Sequence, residues 1–164
     1  MIRDAQNPTQ MRAGQFTHTA VIGTAAKAGA SDHTGNIAGA ADNNFPLFSL
    51  KPGDVVRQNV LIDLLTAYVG AGPAATSVSL VVGTTSAGAG GTVVATLTDV
   101  RAATPRTVTA LAAGIDYVNG TAADVWVTAR FTGLATATVG SATAGTVGLS
   151  LNIVRAADRF AGIV

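Results

Sequence analysis

Few side chains in this sequence have the type and spacing for chemistry. Ser31-Asp32-His33 puts a nucleophile, an acid and a base in consecutive positions. A working triad needs the His between the Ser and the Asp in space, with a rigid frame around all three. Neighbours in a Gly/Ala-rich stretch have neither, so these residues read as a solvated loop. His18 and His33 are the two histidines, and no third ligand stands at a suitable spacing. A metal site is therefore not expected, and His18 reads as a partly buried strand residue. Residues 83–91 (GTTSAGAGG) are glycine-rich, but no Gly-Lys-Ser/Thr follows and no helix opens after them. They read as a flexible connecting loop and not a phosphate cradle. Asn119-Gly120-Thr121 matches a glycosylation sequon and also a tight Asn-Gly turn, which is the favoured reading. Neither Asp116 with Asp124 nor Asp54 with Asp63 has a spacing that forces the separation glycoside hydrolysis needs. Tyr68, Tyr117, Trp126 and Arg130 could make an aromatic–cation surface for a sugar or a base. They are scattered, however, and read as core or interface packing.

The elements that would position such groups come from an unusual composition. The 164 residues include 32 Ala, 22 Thr, 19 Val and 19 Gly, more than half the chain. There are nine Asp, no Glu, eight Arg, two Lys and no Cys, for a net charge of +1. No disulfide frame, thiolate nucleophile or Cys-ligated zinc is possible. No basic excess marks a nucleic-acid partner. Uncharged runs of 35 residues (64–98) and 24 residues (131–154) are punctuated by Gly, Thr and Ser and alternate in polarity. Such runs are strands and not membrane helices. No secretory signal is expected in residues 1–15.

Alternation predicts strands at residues 16–22 (FTHTAVI), 76–82 (TSVSLVV), 92–98 (TVVATLT), 106–111 (RTVTAL), 124–132 (DVWVTARFT) and 146–154 (TVGLSLNIV). Residues 55–69 fit either a helix or a strand. Their β-branched content and flanking turns favour a strand with Val60, Ile62, Leu64 and Thr66 on one face. Lys51-Pro52-Gly53-Asp54 is a strong turn signal. Residues 23–44 read as a long loop. Seven to nine short strands with frequent turns predict an all-β, single-domain β-sandwich, jelly-roll-like. An N-terminal arm (1–15), a domain (16–155) and a C-terminal tail (156–164) complete the expected organisation.

Residues Leu50-Lys51-Pro52-Gly53-Asp54-Val55-Val56, the run from Val60 to Tyr68, and Ser77-Val78-Ser79-Leu80-Val81-Val82-Gly83-Thr84-Thr85 carry a resemblance. With Val127-Thr128-Ala129-Arg130-Phe131-Thr132 and the stretch from Ala144 to Val154, they resemble small virion structural proteins of tailed bacteriophages. The resemblance spans about residues 45–155 and rests on structural punctuation. It implies a non-enzymatic virion protein with no catalytic, cofactor or metal residues. Its expected role is capsid decoration, binding and stabilising the shell of a major capsid protein, as a homo-oligomer such as a trimer. The expected location is the virion, assembled in the host cytoplasm, with no nucleic-acid or membrane partner. A tail tube, adaptor or fibre-associated protein is the alternative. A carbohydrate-binding adhesin module using Trp126 and Tyr117 is another. The low charge supports burial in an assembly independently, because soluble monomers usually carry mixed charge over their surface.

Overall fold

The computed structural model describes residues 16–24, 33–36, 43–57, 60–70, 77–101, 106–110, 116–132 and 139–158. The expected arm (1–15), Ser31, Asp32 and residues 159–164 lie outside them. Alternating apolar residues become strands: β1 (His18–Gly23), β2 (His33–Asn36), β3 (Asn44–Leu50), β4 (Val55–Val56), β5 (Val60–Val69) and β6 (Ser77–Thr84). They continue as β7 (Thr92–Thr98), β8 (Arg106–Ala110), β9 (Tyr117–Val118), β10 (Val125–Thr132), β11 (Ala144–Leu151) and β12 (Ile153–Val154). The one helical element among the described residues is a 3-10 turn at Val139–Ser141. The chain is all-β.

Two sheets make a β-sandwich. The first has the order β2-β1-β11-β5-β8 and the second β3-β10-β6-β7. All described pairings are antiparallel except β1 with β2, which is parallel. The alternation sends Ala20, Ile22, Val60, Ile62, Leu64, Val147, Leu149 and Leu151 of the first sheet inward. They meet Phe48, Leu50, Val78, Leu80, Val82, Leu97, Val127, Ala129 and Phe131 of the second in one core. Cross-sheet ring contacts pin the layers: Tyr68 on β5 lies 5.4 Å from Phe131 on β10, and His18 on β1 lies 5.1 Å from Phe48 on β3. Such contacts add about 0.5–1.5 kcal/mol beyond the buried area.

One end of the sandwich is stitched. β3 belongs to the second sheet and β11 to the first, yet their continuations β4 and β12 pair with each other in a small sheet, β12-β4-β9. The Lys51–Asp54 turn that feeds β4 is closed by Asp54 N–H donating to the Lys51 carbonyl at 2.9 Å. Pro52 at its second position and Gly53 at φ 81° at its third are the residues a type II turn demands.

Four expectations need correction. Residues 23–44 are not a bare loop, since β2 lies within them and pairs with β1. The run expected at residues 146–154 is two strands, broken at Asn152, where the chain passes from the first sheet into the small one. Thr66 is exposed and Tyr68 takes the buried place. The β5–β11 register shifts twice around Thr146, and each extra residue on β5 reverses which face its successors occupy. Thr128, expected on the outward face of β10, does face away from the core cluster but is fully buried, because another segment covers it.

Candidate functional site

That segment is the glycine-rich loop. Residues 85–91 turn back on themselves, with Thr85 N–H donating to the Ala89 carbonyl and Gly88 N–H to the Thr85 carbonyl, both at 2.9 Å. Arg130 holds the loop down. Its Nη2 donates to the carbonyls of Gly88 and Gly90 at 2.8 and 2.7 Å, and its Nε donates to Asn44 Oδ1 at 3.0 Å. Beneath lie Val81 and the hydrogen-bonded hydroxyls of Thr84 and Thr128, all buried. Gly91 permits this approach. It sits at φ 88°, and a Cβ there would stand 2.7 Å from the Val82 carbonyl and 2.8 Å from Val81 Cγ1. The loop is thus a pinned roof over the outer face of the second sheet, where sequence reading expected a flexible connection. Arg130 is occupied by this task.

The other aromatic candidates disperse. Tyr68 is buried, its hydroxyl donates to the Ile22 carbonyl at 3.0 Å, and burial holds its phenol above the ordinary range. A Cβ on Gly145 would overlap its ring, so this glycine makes room for it. Tyr117 sits half-buried against Gly83, and Trp126 is half-buried on β10. Tyr68 and Arg130 are therefore removed from any shared aromatic–cation surface.

Asn119 also differs from expectation. It is 1% exposed. Its Nδ2 donates to the carbonyls of Leu50 and Ala123, each at 3.0 Å, and its Oδ1 accepts from Thr121 N–H at 3.1 Å and Thr121 Oγ1 at 2.7 Å. Every polar atom of the amide is used, which leaves no room for a glycan. Nor is this the two-residue hairpin turn: Gly120 has no positive φ, and β9 pairs with β4 instead of β10. The Asn119 side chain organises the loop where a tight Asn-Gly backbone turn was expected to do so.

The densest polar cluster surrounds Asp54, which is buried at the stitched end. Its carboxylate accepts from Lys51 N–H at 2.9 Å, Ala156 N–H at 2.8 Å and Arg155 Nη1 at 2.7 Å. Burial alone would push its pKa up. The Ala156, Arg155 and Lys51 donors outweigh that and hold the carboxyl below its usual range. Arg155 Nη1 also donates to the Ser49 carbonyl at 2.7 Å, and Nη2 reaches His18 Nε2 at 3.3 Å. Arg155 has no acceptor capacity, so His18 Nε2 must accept. Nδ1–H then donates to Thr17 Oγ1 at 2.8 Å, and the Thr17 hydroxyl donates to the Ile153 carbonyl at 3.3 Å. Arg155, the last residue of the expected domain, and Ala156, the first of the expected tail, are both anchored to Asp54. A sequence signal existed in hindsight: an Asp closing a Pro-Gly turn beside an apolar strand needs a cation when buried.

Beside this cluster an open depression of about 450 Å³ lies between β1 and β3, lined by His18, Leu47, Phe48, Ser49, Lys51 and Arg155. Lys51 forms an exposed ion pair with Asp124, and Arg57 pairs with Asp116. His33 is placed on β2 opposite Ala20, so the two histidines occupy neighbouring strands. Among the described residues no group of three or more His, Cys, Asp or Glu side chains converges as a metal site. No family model, curated protein or solved structure matches the chain.

The outer face of the first sheet is finished differently from the roofed one. Val21, Gly148 and Asp63 form one row across β1, β11 and β5, and Thr19, Ser150 and Leu61 form the next. Leu65 and Val69 of β5 are 42% and 54% exposed. The nearest atoms to a Cβ on Gly148 would be Leu65 Cδ1 at 3.5 Å and Asp63 Cβ at 3.8 Å, both of the same sheet, and Val21, Gly148 and Asp63 are half-buried. Among the described residues of those three strands, no helix is present and the outward side chains carry a single charge, Asp63.

Proposed function

We propose that this chain is a non-enzymatic virion structural protein that decorates the shell of a tailed bacteriophage, binding the major capsid protein as a homo-oligomer. The observation that carries the reading is the outer face of the first sheet. It offers small, nearly uncharged side chains around a Gly148 row, with Leu65 and Val69 exposed beside it. Contiguous apolar surface rimmed by polar groups marks a protein contact. Small side chains lose little rotamer freedom on burial, so ordering them costs little. Binding to the assembled lattice and not to its separated subunits would stabilise the lattice by mass action.

The test is to co-express the chain with the major capsid protein encoded in the same genome, purify shells, and image them by electron microscopy. Density at repeated shell positions is expected, and it should disappear for Leu65→Asp, a change on the exposed face. Shells without density from the wild-type chain would overturn the reading, as would equal occupancy by Leu65→Asp. With net charge near zero, occupancy should change little between low and moderate salt.

A further inference from the structure

Asn119-Gly120 is the one Asn-Gly step in the chain; every other Asn precedes Pro, Ile, Asn, Phe or Val. Asn is a chemically labile residue. The backbone nitrogen that follows it can attack its side-chain amide, and Gly shields that nitrogen least, having no Cβ and a freely turning backbone. In the folded chain both reacting groups are occupied. Gly120 N–H donates to the Val118 carbonyl at 2.9 Å. Asn119 is buried, and its amide spends Nδ2 on the Leu50 and Ala123 carbonyls and Oδ1 on Thr121. Its backbone is tied as well. The Asn119 N–H donates to the Asp54 carbonyl at 2.9 Å, and the Asn119 carbonyl accepts from Gly53 N–H at 2.7 Å. Gly120 itself is exposed, so only the amide beside it is kept from water.

We propose that Asn119-Gly120 is a latent self-modification site, held shut by the stitched end, whose conversion to aspartate or isoaspartate keeps that end from closing again. When the end opens, the Gly120 nitrogen gives its proton to water and attacks Asn119 Cγ. The Cγ–Nδ2 bond breaks, and the nitrogen takes a proton from water and leaves as ammonia. One water then opens the cyclic imide at either carbonyl, to aspartate or isoaspartate, so the sum is Asn plus water giving the acid plus ammonia. Neither product fits the closed form. In aspartate, an oxygen replaces Nδ2 and faces the Leu50 and Ala123 carbonyls, each 3.0 Å from the lost donor. Two acceptors lose their donor, and a charge is placed where Asn119 was buried. Isoaspartate adds a carbon to the main chain between the bonds to Asp54 and Gly53 and the Gly120 nitrogen, which breaks their spacing. Opening thus leaves a permanent chemical mark, and a chain so marked is withdrawn from the folded pool. The site is independent of the virion reading.

The test is to incubate the full chain in neutral buffer, with and without guanidinium chloride, and follow the peptide containing Asn119 by mass spectrometry after proteolysis. Conversion should be at least about thirtyfold slower in the folded chain, where only the opened fraction reacts. Asp54→Ala, which loosens the stitched end, should speed conversion in plain buffer at least about tenfold. Arg130→Ala, which loosens the roof elsewhere, should leave that rate unchanged. Asn119→Asp should melt well below wild type. Gly120→Ala keeps the test independent of that variant's folding. A Cβ there meets nothing within 4 Å and Gly120 has no positive φ, so the melting curve should match wild type. Its conversion in guanidinium chloride should be at least about fivefold slower, because the Cβ shields the attacking nitrogen. Equal rates with and without denaturant would overturn the proposal. So would equal acceleration by Asp54→Ala and Arg130→Ala, a wild-type melt of Asn119→Asp, or wild-type conversion of denatured Gly120→Ala.

Discussion

The two outer faces of the sandwich use the same kinds of residue and are finished in opposite ways. The second sheet is roofed by its own loop: Arg130 pins the Gly88 and Gly90 carbonyls, and Val81, Thr84 and Thr128 are buried beneath. The first sheet has a comparable centre, Gly148 flanked by Val21 and Asp63, which stays half-buried with Leu65 and Val69 exposed on the same strand as Asp63. The stitched end resembles the roofed face, because Asp54 and Asn119 find all their partners within the chain. Where the chain supplies its own partners, glycine and polar residues are structural. On the first sheet the same residue types leave Leu65 and Val69 exposed.

Substitutions can break this contrast. The largest effect is expected at the stitched end. Asp54→Ala leaves Arg155 partly buried without its carboxylate, which should cost about 3–5 kcal/mol in urea unfolding. The same carboxylate sets an acid limb. Its folded pKa lies below the unfolded value, so its stabilisation is present above about pH 4 and is lost as pH falls through the folded value. Thermal melts of Asp54→Asn should therefore depend less on pH in that acidic window than those of wild type. Next comes the roof: Arg130→Ala removes three hydrogen bonds and should cost about 2 kcal/mol, with faster amide exchange confined to residues 85–91.

The sharpest comparison puts one substitution on both faces. Gly91→Ala forces a side chain into the left-handed region against a backbone carbonyl and should cost about 2 kcal/mol. Gly148→Ala meets only ordinary van der Waals distances and should leave stability unchanged or raise it by about 0.5 kcal/mol. If both cost the same, the two faces do not differ as described. The smallest effect on stability, within about 0.5 kcal/mol, is expected for Leu65→Asp, whose consequence is read in shell binding instead.

Much of the fold was legible along the chain. Period-2 alternation located the inward sets Val78-Leu80-Val82 and Val147-Leu149-Leu151, because a buried face must repeat every second residue. The Lys51–Asp54 turn was legible too, since Pro and a positive-φ Gly have few other uses side by side. Thr66 left the expected inward face because a bulge depends on the partner strand β11 and leaves no mark in β5 itself. β2 was missed because a short edge strand needs no apolar pattern of its own.

The site was less legible than the fold. Composition and alternation determine an all-β chain of low charge, since those properties are local and additive. That Asp54 is bonded to Arg155, 101 residues away, that Arg130 closes a loop 40 residues upstream, and that this loop covers the outer face of the second sheet were decided only in three dimensions. Each depends on where a donor, a carbonyl or a missing Cβ arrives from a distant strand, and linear spacing does not encode that meeting.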